Sequence, residues 1–306
     1  MGCDFGFGKF GRLHNKTYFV SACMYDEDNE SDEFCLQVFE GQDMTHPIKK
    51  ILLPSLNEFN YEGGMDTCKW SNSLYVWQSE PSRWPHGSDI WHLVPNGDGG
   101  FEVQEWPIYA PSDNSSLDFS AVRRIGVDDV SVLDDGNLLV LRKVFCLDDK
   151  EEAENILSIQ KPDGSVIRNI KLSYDAQTNV TMKSNGNFVY VQVTNERSGA
   201  CAIREADKDG KEFRNFHFDL SVTEFCIGGK QLFLDACDRV IFHDGYYKIF
   251  FLDCELNLLG EVEILEMKPV SGLGDDILEH IHFDKDTNEM IVTYSSNDVL
   301  FLKLTF

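Results

Sequence analysis

One stretch of the sequence, Val127–Val140, decides the fold and reads VDDVSVLDDGNLLV. Short apolar runs lie on either side of Asp135-Gly136, and runs of this length bounded by turn residues are typical of β-strands. Asp-Gly tolerates the positive φ angle that tight hairpins need. The stretch therefore predicts a β-hairpin.

The hairpin pattern recurs along the chain. Each repeat has a turn followed by a strand-like run, and a second turn of similar chemistry lies further on. The period is about 51 residues, which is typical of repeats with four strands per unit. The first family of turns comprises Asn15-Lys16, Ser71-Asn72, Asp135-Gly136, Asn185-Gly186, Gly228-Gly229 and Thr287-Asn288. The second family comprises Asn96-Gly97, Asp163-Gly164, Asp209-Gly210 and Glu255–Asn257.

Six such units predict a single all-β domain, a six-bladed β-propeller with four-stranded antiparallel blades. The last unit contains only three clear strands, so Met1–Phe7 is predicted to supply its fourth and to close the ring between the N- and C-terminal strands. A β-sandwich would not produce six similar units. The predicted blades cover residues 8–54, 55–108, 119–172, 173–219, 220–265 and 266–306 plus 1–7.

Composition limits the possible functions. The 306 residues include 27 Lys and Arg against 52 Asp and Glu, which gives a net charge of −25. Proteins bind nucleic acids and anionic membranes through Lys and Arg side chains, so this acidic composition disfavours both as partners. It favours a basic protein partner instead. No apolar run is long enough to predict a membrane span. Nine scattered cysteines without a Cys-x-x-Cys pair predict reduced thiols and a cytoplasmic location.

Three stretches resemble known propellers. Val127–Val140 resembles the blade opening shared by NHL-repeat proteins and the calcium-dependent lactonase and phosphotriesterase propellers, and Asn155–Ile159 with Lys161–Val166 resembles its continuation. Ile281–Val292, IHFDKDTNEMIV, resembles the final blade of the diisopropylfluorophosphatase-type enzymes. The resemblance implies architecture more than activity, because propellers with many functions share such turn and strand patterns.

In those enzymes, side chains at the start of the innermost strands bind Ca²⁺ in the central channel. The resemblance implies oxygen ligands here from Asp128 or Asp129, from Asn179 and from Glu224, which suit Ca²⁺. Asp128, Asp129 and Glu224 would then also act in catalysis. Structural roles stay open, because an Asp pair at a strand start also serves as a turn or cap and a carboxylate in a wet channel needs no metal.

Two further ligands follow only from the resemblance. The stretch around Gly8–Gly11 lacks the acidic ligand that the enzymes carry in their first unit, and Glu62 is a candidate substitute. His282 falls where the enzymes place a histidine near a second ion. A structural role for His282 is the alternative.

The tryptophans indicate a binding surface. All five lie within the second unit, at Trp70, Trp77, Trp84, Trp91 and Trp106. The spacing of Trp70, Trp77 and Trp91 predicts burial in blade cores. Trp84, between Arg83 and Pro85, is predicted to be exposed beside His86, and tryptophan is enriched at binding hot spots.

Two functions of different classes are therefore expected. The first is a non-catalytic β-propeller that recognises a protein partner through its loop faces. The alternative is a Ca²⁺-dependent ester, lactone or phosphotriester hydrolase with the ion in the channel, where it would polarise the scissile group.

Overall fold

A computed structural model describes residues 8–13, 16–25, 32–40, 46–52, 63–69, 71–78, 90–97, 100–105, 122–146, 153–172, 177–195, 200–219, 231–244, 248–263, 278–294 and 299–305. These residues form six antiparallel sheets, five with four strands and one with three, and no helix is found among them.

Each sheet is one blade of consecutive strands. Blade 1 contains β1 (Gly8–Leu13), β2 (Lys16–Tyr25), β3 (Asp32–Glu40) and β4 (Lys49–Leu52), and blade 2 contains β5 (Gly63–Cys68), β6 (Ser73–Gln78), β7 (Ile90–Pro95) and β8 (Phe101–Glu105). Blade 3 contains β9 (Val122–Val132), β10 (Leu138–Cys146), β11 (Ala153–Gln160) and β12 (Val166–Lys171), and blade 4 contains β13 (Gln177–Met182), β14 (Phe188–Asn195), β15 (Ala200–Ala206) and β16 (Glu212–Asp219). Blade 5 contains β17 (Leu232–Leu234), β18 (Val240–His243), β19 (Lys248–Leu252) and β20 (Leu258–Glu263), and blade 6 contains β21 (Leu278–Asp284), β22 (Glu289–Tyr294) and β23 (Val299–Lys303).

The blades form a closed ring. The first strand of each sheet, here called the inner strand, lies nearest the centre of the ring. β1 contacts both β5 and β21, and successive inner strands contact one another from β5 to β17. An apolar cluster joins blade 5 to blade 6. The prediction of a six-bladed β-propeller is confirmed, while Met1–Phe7, its predicted closing strand, lies outside the described residues.

Each described inner strand from blade 2 to blade 6 ends in a turn that needs a left-handed residue. The residues with positive φ at these five turns are Asn72, Gly136, Gly186, Asp238 and Asn288. The inner-strand turn of blade 5 is therefore at Asp235–Arg239, where Asp235 N bonds Arg239 O at 3.1 Å. The prediction that Gly228-Gly229 forms this turn is wrong, because β17 comes after those glycines and ends only at Leu234.

The core lies between neighbouring blades. Alternate residues of a strand point to opposite faces, so a strand buried on both faces is apolar throughout. β10 shows this: Leu138 and Val140 pack toward blade 2, whereas Leu139 and Leu141 pack toward blade 4. Trp77 and Trp91 are buried in blade 2, as predicted, whereas Trp70 is not among the described residues.

One cysteine departs from the sequence-based expectation. Cys35, on β3, is disulfide-bonded, so the prediction of reduced thiols throughout the chain is wrong at this position. The cytoplasmic location stays a prediction. Cys68, Cys201, Cys237 and Cys254 are not disulfide-bonded.

Candidate functional site

The inner strands and the turns that follow them surround a cavity of about 470 Å³ at one mouth of the central channel. All six blades contribute to its wall, from Arg12 in blade 1 to the segment His282–Asp286 in blade 6. We call the side of the ring on which these turns lie the turn face. The cavity is the candidate functional site because it is the place where side chains from every blade meet.

Ion pairs cross this mouth. Lys285 of blade 6 pairs with Asp134 of blade 3, which is the blade diametrically opposite in a ring of six. Lys69 of blade 2 reaches past blade 1 and pairs with Asp284, at 3.2 Å, and with Asp286. The turn of blade 6 therefore contacts blades 2 and 3 at once.

These pairs perturb two pKa values in the expected directions. Burial by itself would lower the pKa of Lys69, but the bonds to Asp286 and Asp284 outweigh it and raise that pKa. Burial would likewise raise the pKa of Asp284, yet the Asp286 amide and Lys69 outweigh it and lower that pKa. Both groups are therefore held in their charged forms.

Within the same cavity, polar side chains of inner strands accept hydrogen bonds from backbone N–H groups of the next blade. Asp66 Oδ2 accepts the Val132 amide at 2.8 Å, which links blade 2 to blade 3. His282 Nε2 accepts the Arg12 amide at 3.1 Å, which links blade 6 to blade 1. Asp66 and His282 occupy the same position, six residues before the left-handed residue of their turns.

A second level of such bonds lies one residue earlier on the inner strands. Asp129 Oδ2 accepts the Val180 amide at 2.9 Å and links blade 3 to blade 4. Asn179 Oδ1 accepts the Gln231 amide at 2.7 Å and links blade 4 to blade 5. Buried amides without an acceptor are costly, so these side chains stabilise the ring by joining neighbouring blades.

Polar contacts join blades 6 and 1. The five apolar clusters found among the described residues each join consecutive blades from 1 to 6, and none spans this last junction. Arg12, which is buried, instead places NH1 2.8 Å from Glu289 Oε2, beside the bond between its amide and His282.

Lys183 on the channel wall belongs to a buried ionic network. Its Nζ lies 2.7 Å from Glu205 Oε2 and donates to the Cys254 carbonyl at 2.8 Å, so it connects blade 4 to a turn of blade 5. Arg214 NH1 lies 2.9 Å from the same Glu205 oxygen. Lys183 and Glu205 are 2% and 1% exposed, so this pair is part of the core rather than available to a ligand.

A β-bulge separates the roles of the two candidate aspartates in blade 3. β10 pairs Leu141 with Asp129 and Arg142 with Val127, which leaves Asp128 as the extra residue. Asp128 Oδ2 lies 2.9 Å from Lys143 Nζ, and burial outweighs that lysine and raises the pKa of Asp128. Asp128 is thus paired within its own blade, and Asp129 bonds to blade 4.

The structure places only some of the predicted site residues. Asp128, Asp129, Asn179 and His282 lie on inner strands, as expected, and each has the bonds described above. No three His, Cys, Asp or Glu side chains in the described part of the chain are grouped to hold a metal ion. Four predicted residues lie outside that part: Glu62, Glu224, Trp84 and His86.

The corrected turn of blade 5 changes which residue is equivalent to Asn179. Asn179 lies seven residues before Gly186, the left-handed residue of its turn. The residue seven positions before Asp238, the left-handed residue in blade 5, is Gln231 and not Glu224. The shared register that pointed to Glu224 as a calcium ligand is therefore absent. The assignment of Ca²⁺ ligands itself stays a prediction.

Sequence reasoning missed Asp66, Arg12, Lys69 and Lys285. Asp66 could have been found, because it lies six residues before Asn72 in the same register that His282 has before Asn288. The two lysines had no such signal, since their partners are in distant blades.

No helix in the described ranges has the length and apolar character to cross a membrane.

No protein-family model matches this sequence, and no curated protein matches it. Solved structures match it in shape: a protein of unknown function from Bacteroides caccae has a TM-score of 0.54 at 11% identity, covering 89% of this chain and 80% of that one. A protein of unknown function from Dyadobacter fermentans DSM 18053 has a TM-score of 0.55 at 13% identity, covering 94% and 89%. The Dos1 propeller has a TM-score of 0.48 at 11% identity, covering 98% and 82%. At such identities, the first two matches bear on the fold alone.

Proposed function

We propose that this protein is a non-catalytic β-propeller that recognises another protein, and that the partner presents a basic surface. The observation that carries the proposal is that polar side chains of the inner strands bond to neighbouring blades. Asp66, Asp129, Asn179 and His282 accept backbone amides of neighbouring blades, so they hold the ring together. A ring secured in this way is a rigid support for recognition by its turns and loops.

Charge supports a basic partner. The net charge of −25 is partly concentrated in the segment 26–31, DEDNES, which has four acidic residues and no basic one and joins β2 to β3. The segment 147–152, LDDKEE, has four acidic residues and one basic residue and joins β10 to β11. Such a surplus steers Lys- and Arg-rich partners toward the protein over a Debye length of about 8 Å at physiological salt.

The experiment that tests this function is capture from a lysate of the source organism with the protein immobilised in folded and in urea-unfolded form. Both forms have the same sequence and charge, so the unfolded chain is a matched control for charge alone. We expect the folded form to retain specific basic proteins that are released by salt, because salt screens exposed charges. Retention of the same proteins by both forms would overturn the proposal.

Trp84 supplies a second test. It lies in the segment 79–89, between β6 and β7, and we expect Trp84→Ala to weaken capture if this loop contributes an anchor, since exposed tryptophans dominate many interfaces. Phe213→Ala is the control, because Phe213 is also aromatic and is 51% exposed on β16. Equal capture by both variants would exclude the loop as an anchor, and the same comparison with His86→Ala tests its neighbour.

The Ca²⁺-dependent hydrolase stays an alternative prediction that rests on the resemblance. The ion would need oxygen atoms of Asp129 and Asn179 that accept amides of the next blade. Melting curves in Ca²⁺ and in chelator distinguish the two functions, because an ion that binds only the folded protein raises its melting temperature.

A further inference from the structure

We propose that the channel mouth at the turn face is the surface that binds the basic partner, and that Asp134 and Asp286 receive a Lys or Arg side chain there. This inference rests on the proposed function and adds to it the face of the ring, the contacting residues and the chemical group. The alternative faces are the outer edges of the blades and the loops on the opposite side.

The mouth has the dimensions of a binding site. Its volume of about 470 Å³ falls within the usual range for ligand pockets, roughly 300–1,000 Å³. Strands and turns from all six blades form its wall, so carboxylates of blades 2, 3 and 6 line one opening. A side chain that enters along the channel axis would be surrounded by groups from every blade.

The charge of the mouth favours a cation. Five aspartates line it, at Asp66, Asp134, Asp135, Asp284 and Asp286. Four basic residues also line the mouth. Two of them already form ion pairs with glutamates outside the lining, Arg12 with Glu289 and Lys183 with Glu205. The surplus of carboxylates repels anionic ligands and attracts Lys or Arg.

Lys285 acts as an internal substitute for the partner's cation. Its pair with Asp134 crosses the open mouth, with the two side chains 40% and 76% exposed. Exposed pairs of this kind contribute little to stability, so an incoming cation can replace Lys285 at small cost. The buried pair of Lys183 with Glu205 shows the contrast, since there both charges are enclosed.

Asp286 is proposed as the second carboxylate that receives the partner's cation, and in the unbound protein it pairs with Lys69. Asp286 is 55% exposed, whereas Asp284, which pairs with the same lysine, is 4% exposed. Lys69 can therefore keep its buried partner while Asp286 turns to a new cation. Arginine suits either acceptor, because its planar guanidinium can bond both oxygens of one carboxylate.

The test uses a fluorescein-labelled arginine-rich peptide of ten residues and the full chain, with affinity measured by fluorescence anisotropy at low salt. Lys285→Gln removes the internal competitor, and Lys208→Gln is its control, since Lys208 is exposed on another turn and the charge change is identical. We expect Lys285→Gln to tighten binding about two- to fivefold more than the control does. Asp134→Asn should weaken binding by a similar factor relative to Glu102→Gln, a change at an exposed residue of β8.

The outcomes separate the inference from the proposed function. If the peptide binds but Lys285→Gln and Asp134→Asn match their controls, the mouth is not the site and recognition by another face stands. If Trp84→Ala alone weakens binding, the segment 79–89 carries it, and the inference is again overturned. If the folded protein binds no basic peptide, the proposed function fails together with the inference. Both variants alter exposed side chains, so unchanged melting curves show that folding is intact.

Discussion

Replacing Asn179 with Ala should loosen the junction between blades 4 and 5. Asn179 is fully buried, and its Oδ1 accepts the Gln231 amide at 2.7 Å. Ala removes this acceptor and leaves a buried donor without it, which costs about 1–3 kcal/mol of unfolding free energy. In a chain of this size, such a loss lowers the melting temperature by a few degrees.

The measurement is urea unfolding and thermal melting in chelator, which removes any contribution from a bound ion. Asn215→Ala is the matched control, because Asn215 is exposed on β16 and its replacement should change the free energy of unfolding by less than about 0.5 kcal/mol. Wild-type stability of Asn179→Ala in chelator would refute the assignment of Asn179 as a link between blades. A loss of stability that appears only with Ca²⁺ present would instead favour the metal-ligand interpretation.

Three further predictions concern a buried glycine, a buried histidine and the disulfide of Cys35. A Cβ on Gly64 would lie 2.2 Å from Trp77 Cζ2, so Gly64→Ala should lower the free energy of unfolding in urea by about 1–3 kcal/mol. Burial lowers the pKa of His243 to about 4, so the folded protein keeps this ring neutral while the unfolded chain binds a proton below its ordinary pKa of about 6.5. Stability should therefore fall as pH drops from 6.5 toward 4, by up to about 1.4 kcal/mol per pH unit, and this contribution should vanish in His243→Gln. Thiol titration of the chain unfolded without reductant should detect fewer than its nine cysteines, because Cys35 is disulfide-bonded.

Each of these has a result that would count against it. Gly97→Ala is the control for Gly64→Ala, since its Cβ position has no neighbouring atom within 4 Å among the described residues, and equal stability of the two variants would contradict the close approach of Trp77. An unchanged pH slope in His243→Gln would show that other groups cause the acid sensitivity. Nine titratable thiols before reduction would exclude the disulfide.

The fold could be predicted because its signals are local. Turns such as Asp135-Gly136 and Asn185-Gly186 require positive φ, and the sequence marks them with Gly. Blade 5 shows where this reasoning fails. Gly228-Gly229 had the stronger turn signal, but the turn is formed by Asp235, whose carboxylate accepts the Cys237 and Arg239 amides at 2.8 and 2.9 Å, with Asp238 in the left-handed conformation.

The candidate site was only partly predictable because its bonds connect distant parts of the chain. The sequence pointed to Asp129 and Asn179 by type and position, but whether such oxygens bind an ion or an amide depends on the neighbouring blade. Val180 and Gln231 supply those amides, and each is more than 50 positions away from its acceptor. Lys285 and Asp134 are separated by 151 positions, so no spacing rule brings them together.

The central claim is that the folded ring recognises a basic protein segment. One measurement tests it most directly: titration of a labelled arginine-rich peptide with the folded protein in chelator, repeated at rising salt. We predict saturable binding of one peptide per ring that weakens as salt screens the carboxylates. Binding that fails to saturate, or that is equally tight to the urea-unfolded chain, would contradict the claim.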